Sequence, residues 1–534
     1  MDNLREYVKF LDKFSWIYNA HMTRLLLDGT LERIPLEWIH HISALSTQEL
    51  GEVPYGLIKE DWPTTLQEFV RQAVELGEAR FRPPGPSVPV ELPGSLSRGM
   101  TPQKQREVPG LAALVADVCR QARCTSVLDV GSGLGYLAQV LHHSYGFRVI
   151  GLDCEPSHLE KANNRLKLSG CRKNIHYYTL KIDDSMQSVA SVGSLLKSCP
   201  PHVECSCGPQ ETMHRKFNEG QFVMVALHAC GRLTPTMVHH FCHLEQICAV
   251  VCIGCCYHKG APWFPLSTAL GQLLSQEQLG GVPGRLQGLR LACQGTRQSW
   301  RDRSGPQRQA QARHVLYRAL LERTLQKGGL PWRKSRRHMA RDSHTVSFEA
   351  YVDHIMQDVS CESEEQRTGW RNLLKGLQSE AEKLLPAVGT HALLQQLLQP
   401  VWEELVVRDR MAWAGELGLS CRVSPAFVGS PRDLALVVLR PRPPPGPCRP
   451  PALHPGDPWC APCTPPAASP AADGPAVPHR AGPHRADAGA GLPLLACESK
   501  MFGVDRPKFR QDVQVTAEDT EPDRNPSETK SYCS

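Results

Sequence analysis

Apolar side chains at Leu4, Val8, Leu11, Phe14 and Tyr18 recur at steps of three and four, which places them on one stripe of a helix. Helical patterning runs on to "FRPPGPSVPVELPG" (81–94), where prolines and glycines break any period and mark a linker. Beyond it, short apolar runs alternate with segments of helical period. "SVLDV" (126–130), "FRVIGLD" (147–153), "IHYYTLKI" (175–182), "FVMVALH" (222–228) and "ICAVVCIG" (247–254) are nearly all apolar, as strands covered on both faces are. "LAALVADVCRQA" (111–122) and "YLAQVLHHSY" (136–145) read as helices. "PSHLEKANNRLKLSG" (156–170) reads as another, starting at Pro156, offering Ser157 and Glu160 as a capping box and stopping at Gly170.

This alternation predicts an α/β fold with a doubly wound, mostly parallel sheet. A helix over 393–417 is followed by "CRVSPAFV" and "DLALVVLRP", which supply two last strands as a hairpin and bring the sheet to seven. The chain divides into an N-terminal helical region (1–95), an α/β core (96–285), a polar and basic helical insertion (286–400), the last helix and strands of the core (401–440) and a tail (441–534). Twenty of the 44 prolines fall in that tail, and its Pro/Ala-rich composition predicts disorder.

Composition narrows the class. A hydrophobic fraction of 41% with 21% charged residues is that of a soluble globular protein. No apolar run reaches the roughly 18 residues that span a bilayer, and "MDNLREYVKF" lacks the basic start and apolar middle of a secretory signal, so no membrane partner and a cytoplasmic or nuclear location are expected. The 21 cysteines then read as buried thiols. The net charge of +6 is mild, yet residues 297–341 hold thirteen Lys and Arg against Asp302 and Glu322. With Trp300 and Trp332 among them, this segment suits RNA, by phosphate attraction and base stacking. A solvated loop or a nuclear-import signal at "RKSRR" (333–337) accounts for the charge equally well.

The chemistry centres on "VLDVGSGLGYLAQVL" (127–141). Gly131, Gly133 and Gly135, with Ser132 between them, let the chain turn sharply out of a strand and let a ligand approach bare backbone at a helix N-terminus. A dinucleotide site prefers G-x-G-x-x-G, whereas the spacing here is G-x-G-x-G, two residues after Asp129. A carboxylate there is unfavourable beside a pyrophosphate and suits a cation. S-adenosyl-L-methionine carries an ammonium and a sulfonium. Asp153, ending the next strand, is placed to accept ribose hydroxyls, and Asp183 or Asp184, ending the third, to meet the adenine amino group.

These strings resemble the first two motifs of class I S-adenosylmethionine-dependent methyltransferases, which implies a Rossmann-like sheet. More narrowly, "MTPQKQREV" (100–108), "VALHACGRL" (225–233), "VCIGCCYHKG" (251–260) and "GSPRDLALVVLRP" (429–441) resemble the methyltransferase-like 25 family, also described as ribosomal RNA adenine dimethylase domain-containing proteins. The resemblance covers about residues 1–440 and adds Lys104 and Glu107 to the cofactor-binding set. Two features depart from it. Gln103, Lys104 and Arg106 stand where the family tends to have paired lysines and a histidine, and Arg232 stands where an acid commonly follows "HACG". "LHACG" also lacks the Asn or Asp, paired prolines and aromatic of adenine amino-methylating enzymes. It is similar to a His-x-Cys-Gly string of transfer RNA ribose methyltransferases.

Groups ending the fourth and fifth strands face the reacting methyl in such a sheet. His228 is the candidate base, with Tyr257 or His258 orienting the acceptor. Cys230 or Cys255 would be the nucleophile if a pyrimidine carbon were methylated, though no proline–cysteine signature accompanies them. Cys252, Cys255, Cys256 and His258 lack the paired C-x-x-C spacing of zinc sites, so no metal is expected. Cys460 and Cys463 form an isolated C-x-x-C in the tail. Three functions remain: an S-adenosylmethionine-dependent methyltransferase acting on RNA, a protein methyltransferase, or a non-catalytic module binding cofactor or RNA.

Overall fold

Seven strands build one sheet: β1 (Cys124–Val130), β2 (Arg148–Asp153), β3 (Ile175–Thr179), β4 (Asn218–Cys230), β5 (Ile247–Cys255), β6 (Ser420–Pro425) and β7 (Leu434–Leu439). They belong to a computed structural model that describes residues 2–77, 89–169, 172–206, 218–277, 285–328, 346–357, 363–427 and 433–440. The order is β3-β2-β1-β4-β5-β7-β6. The first five strands run parallel, whereas β7 is antiparallel to β5 and to β6, so the sheet is mixed, with the expected terminal hairpin as its antiparallel part. The chain winds outward from β1 to β3 and then returns to the other side of β1. The crevice at the carboxyl ends of β1 and β4 is the topological switch point, where such sheets bind ligands.

Ahead of the sheet stand α1 (Asp2–Lys13), α2 (Leu36–Ser43), α3 (Thr47–Glu52), α4 (Thr64–Gly77) and α5 (Gly94–Ser97). The sheet helices are α6 (Pro102–Ala122), α7 (Tyr136–Tyr145), α8 (Pro156–Ser169), α9 (Met186–Ser198) and α10 (Leu233–His243). Then come α11 (Thr268–Gln276), α12 (Arg285–Leu291), α13 (Arg297–Arg301), α14 (Gly305–Gly328), α15 (Phe348–Gln357), α16 (Glu364–Lys375) and the 39-residue α17 (Gln378–Glu416). Residues of α5 to α8 pack with Val127, Val149, Val223 and Val251 on one sheet face. On the other, α9 and α10 pack against Leu128, Ile150, Met224 and Val250. That two-sided burial is why the five central strands carry apolar residues at successive positions.

A third cluster lies outside the sheet and unites α1, α2 and α4 with α11, α12, α14, α15 and the first part of α17. The N-terminal helices and the helices between β5 and β6, distant in sequence, thus share one helical core. The later turns of α17 leave it: Val407, Met411 and Trp413 pack on the sheet with β6 and β7. Polar residues on the buried helix are matched to loop carbonyls, as buried polar groups must be. His391 Nε2 lies 2.8 Å from the Ile17 carbonyl, Gln395 donates to the same oxygen, and Gln399 donates to Ala292 O. The described residues up to Arg440 form one compact unit, and none of their helices is long and apolar enough to cross a membrane.

Local chemistry moves several expected boundaries. α6 starts at Pro102, nine residues before the expected helix, because Thr101 Oγ1 accepts the Lys104 N–H and Pro102 fits the first turn. β3 ends at Thr179; Leu180 N donates to Asp153 O, and the chain then turns into the Ser185 cap of α9. The Ser157–Glu160 capping box does not form. Pro156 occupies the first helical position, and Glu155 instead accepts the Ser157 N–H at 3.3 Å.

Several described members of the basic segment are engaged by the helical core. Trp300 is only 5% exposed, donates Nε1–H to Leu50 O and carries Arg308 over its ring, so it is no platform for a base. Arg297 donates to Pro54 O and Gly77 O, Arg301 pairs with Glu52, and Arg323 with Glu380. Trp332 and "RKSRR" lie outside the described residues, as do the tail and its Cys460 and Cys463.

Candidate functional site

The turn after β1 is shaped by its glycines. Gly131, Gly133 and Gly135 all have positive φ, at 71°, 53° and 74°. The N–H groups of Gly131 and Ser132 both donate to Leu152 O, which stitches the turn to β2. A Cβ on Gly135 would overlap Tyr177 Oη, and one on Gly151 would overlap the ring of the same tyrosine. Space above Gly131 is open, with nothing within 4 Å of where a Cβ would sit.

Asp129 projects beside this turn at 2% exposure, and its Oδ2 has no hydrogen-bond partner among the described residues. Ser132 Oγ is likewise buried and unmatched. Burial, reinforced by the Asp153 charge, pushes the Asp129 carboxyl up to about 7. Asp153 is already engaged: Oδ2 accepts the Gly133 N–H at 2.8 Å, Oδ1 accepts the Glu155 N–H at 2.9 Å, and His158 Nδ1 lies 3.3 Å from Oδ1. A carboxylate has about four acceptor positions, so capacity for a hydroxyl remains. Asp183 sits differently. Its carboxylate accepts the Ser185 N–H and O–H at the start of α9, which holds it below the usual carboxylate range. Asp184 receives Thr236 Oγ1–H at 2.5 Å and the Arg232 guanidinium.

The first turns of α6 reach the mouth of this turn. Tyr136 Oη donates to Gly99 O at 2.6 Å and carries the Arg165 guanidinium over its ring, with Lys104 Nζ 5.2 Å from the same centroid. Burial lowers the Lys104 ammonium from its ordinary value, against the pull of Glu107. Glu107, 1% exposed, accepts Gln103 Nε2–H at 2.6 Å, and its Oε2 lies 3.5 Å from His228 Nε2. The helix thus couples two candidates drawn from different strings.

β4 brings His228 there through an irregularity. Ala226 pairs with Cys252 and Ala229 with Gly254, so β4 spends one more residue than β5 over this stretch. Such a bulge re-aims a side chain, and His228 is 41% exposed at the strand end, three residues beyond Val225, the register partner of Asp129. Tyr257 does not join it. It is buried under Arg410, with Oη 3.5 Å from Glu403, and burial raises its phenol further above its ordinary value. His258 follows half-buried on the turn Tyr257–Trp263. Arg232, the departure from the family pattern, pairs with Asp184 and lies over the Trp263 ring at 4.4 Å.

Cys230 and Cys255 are direct register partners, and their sulfurs lie 2.9 Å apart. Cys256 completes a group of three sulfurs within 4.8 Å of one another. Cys252 is elsewhere, buried inside the sheet against Thr234. The zinc constellation weighed from sequence therefore does not assemble, and a different one does.

Sequence reading missed Tyr177, Gly151, Gln103 and the coupling of Glu107 to His228. Gly151 did leave a trace, since a glycine inside an apolar strand marks close approach. The others depend on the packing of α6 and on the β4 bulge. Residues 103–261, from the first turn of α6 to the turn after β5, match a family model described as a methyltransferase domain. The glycine turn, Asp129, Asp153, Glu107 and His228 all fall within the matched segment.

Proposed function

We propose that the chain is an S-adenosylmethionine-dependent methyltransferase that acts on RNA. One observation carries the cofactor reading: Asp129 Oδ2 is buried and unmatched among the described residues, next to open space over Gly131. An anionic group in that position suits the ammonium of S-adenosylmethionine and repels a pyrophosphate. Methyltransferase domains of this type generally use that cofactor. Asp153 would hold the ribose, Lys104 the carboxylate, and Ser132 Oγ and the glycine backbone the remaining polar edge. Asp183 is the weakest of the expected set, because its carboxylate serves α9. The four strings that resemble the methyltransferase-like 25 family support this assignment; they fall on α6, at the carboxyl ends of β4 and β5, and on β7.

Bound there, S-adenosylmethionine would supply an electrophilic methyl group on a sulfonium. His228 would take the proton from the attacking hydroxyl or amine on Nδ1, while its Nε2 faces Glu107 Oε2, 3.5 Å away, which stabilises the resulting imidazolium. RNA as acceptor rests on the His-x-Cys-Gly string and on the basic residues from 333 to 341; Trp300 no longer contributes.

Calorimetry and labelled-methyl transfer test both parts. The wild-type chain should bind S-adenosylmethionine more tightly as pH rises from 6 to 8, because Asp129 ionises over that interval, and Asp129→Asn should bind at least tenfold more weakly. No heat with this cofactor but clear heat with NAD overturns the reading. Label entering total protein and not total RNA overturns the acceptor, and binding without transfer to either pool favours the non-catalytic module.

A further inference from the structure

We propose that Cys230, Cys255 and Cys256 form a site for one thiophilic metal ion, Zn2+ by its ligand set, at the carboxyl ends of β4 and β5. Three observations converge. The sulfurs of all three residues lie within 4.8 Å of one another, although the residues come from two strands and are separated by up to 26 positions. Zn–S bonds of about 2.3 Å at tetrahedral angles put sulfurs about 3.8 Å apart, so small side-chain adjustments satisfy the geometry. The Cys230–Cys255 distance of 2.9 Å is well beyond a disulfide bond of about 2.05 Å.

The second observation is the backbone at Cys256. Consecutive residues of a strand point to opposite faces, so Cys255 and Cys256 continued as a strand would aim their sulfurs apart. Cys256 instead adopts φ 47° and ψ 45°, one of two positive-φ residues other than glycine among the described residues, and this turn returns its sulfur to the side of Cys255. That conformation is uncommon for a side chain with a Cβ, and convergence on an ion gives it a reason.

The third is charge. Each thiol releases its proton to solvent on ligation, and three thiolates with Zn2+ leave one net negative charge. Lys259, on the next turn, brings a positive charge beside this group: a Cβ on Gly231, the residue after Cys230, would lie 3.0 Å from Lys259 Cβ. Cys255 and Cys256 are buried, and Cys230 is the exposed member. With three protein ligands the fourth position would be left to water. The ion would tie the ends of β4 and β5 together and hold Cys230 as a ligand, not as a free nucleophile.

The test uses the full chain, reduced, loaded with Zn2+ and freed of excess. Wild type should retain one more equivalent of zinc than Cys230→Ser or Cys256→Ser, while Cys460→Ser changes nothing. Loaded with Co2+, wild type should show a thiolate-to-cobalt charge-transfer band that both variants lose. Cys230→Ser alters an exposed side chain, so its cooperative unfolding, checked alongside, separates loss of the ion from loss of the fold. Equal metal content in wild type and Cys230→Ser overturns the proposal, as does a Cys230–Cys255 disulfide found by peptide mapping of chain isolated under reduction. None of these readouts depends on S-adenosylmethionine, so the two readings fail separately.

Discussion

Asp129 sets the affinity of the candidate cofactor site against the stability of the chain that carries it. Its carboxyl titrates near 7 when folded and near 3.8 when unfolded, so between those values the folded state holds the extra proton. Its stabilising contribution is complete below the unfolded value and is lost as pH rises to about 7. Asp129→Asn, neutral at every pH, should therefore unfold at higher denaturant than wild type at pH 8, by up to a few kcal/mol at ~1.4 kcal/mol per pK unit, even as its hold on the cofactor weakens. Gly135→Ala acts in the opposite sense. The added methyl meets Tyr177 and the backbone holds φ 74°, so chemical denaturation should show a loss of about 2–4 kcal/mol. The glycines, Asp129 and Asp153 were legible in the sequence because covalent spacing alone places them. Tyr257 was misplaced because a residue ending a strand is free to turn either way, and here it turns under Arg410, whose guanidinium also blocks any side chain at Gly254.

Elements buried on both faces wrote themselves plainly into the chain, and all five parallel strands were readable to within a few residues at one end or both. α17 was harder. The 393–417 period captured its later turns, but the first fifteen residues contain Pro386 and expose their polar side, so their helicity comes from packing in the shared helical core. That core has its own pH response. His391 is fully buried against the Ile17 carbonyl, and burial lowers its imidazole to about 4. The unfolded chain takes up a proton near 6.5 while the folded chain does not, so this contribution is present above 6.5 and is lost as pH falls through 4. His391→Gln should flatten the fall in unfolding midpoint over that window, by on the order of 2–3 kcal/mol. His142, also lowered to about 4 by burial, leaves part of the slope in place.

The whole molecule joins a sheet that the sequence announced to a helical core that it did not. No local pattern says that α1 and α4 pack with α14 and α17, because that core is closed by residues far apart in the chain; His391 of α17 and Ile17, just after α1, are 374 positions apart. Among the described residues the three hydrophobic clusters lie within 4–438, and the Pro/Ala-rich composition of 443–534 offers little apolar surface to add to them. Deletion of 443–534 should therefore leave the thermal midpoint and the calorimetric response to S-adenosylmethionine unchanged; a fall in either would give the tail a share in the fold.

The sheet order also has a consequence for synthesis. β5 ends at Cys255, yet the strand that flanks it, β7, begins at Leu434. At roughly 5–20 residues per second a ribosome needs about 10–40 s to make the intervening stretch, and until then one apolar edge of the nascent sheet has no neighbour. Translation speed and chaperone capture over that interval, more than the sequence of the strand itself, decide whether the emerging chain closes its own sheet or pairs with another.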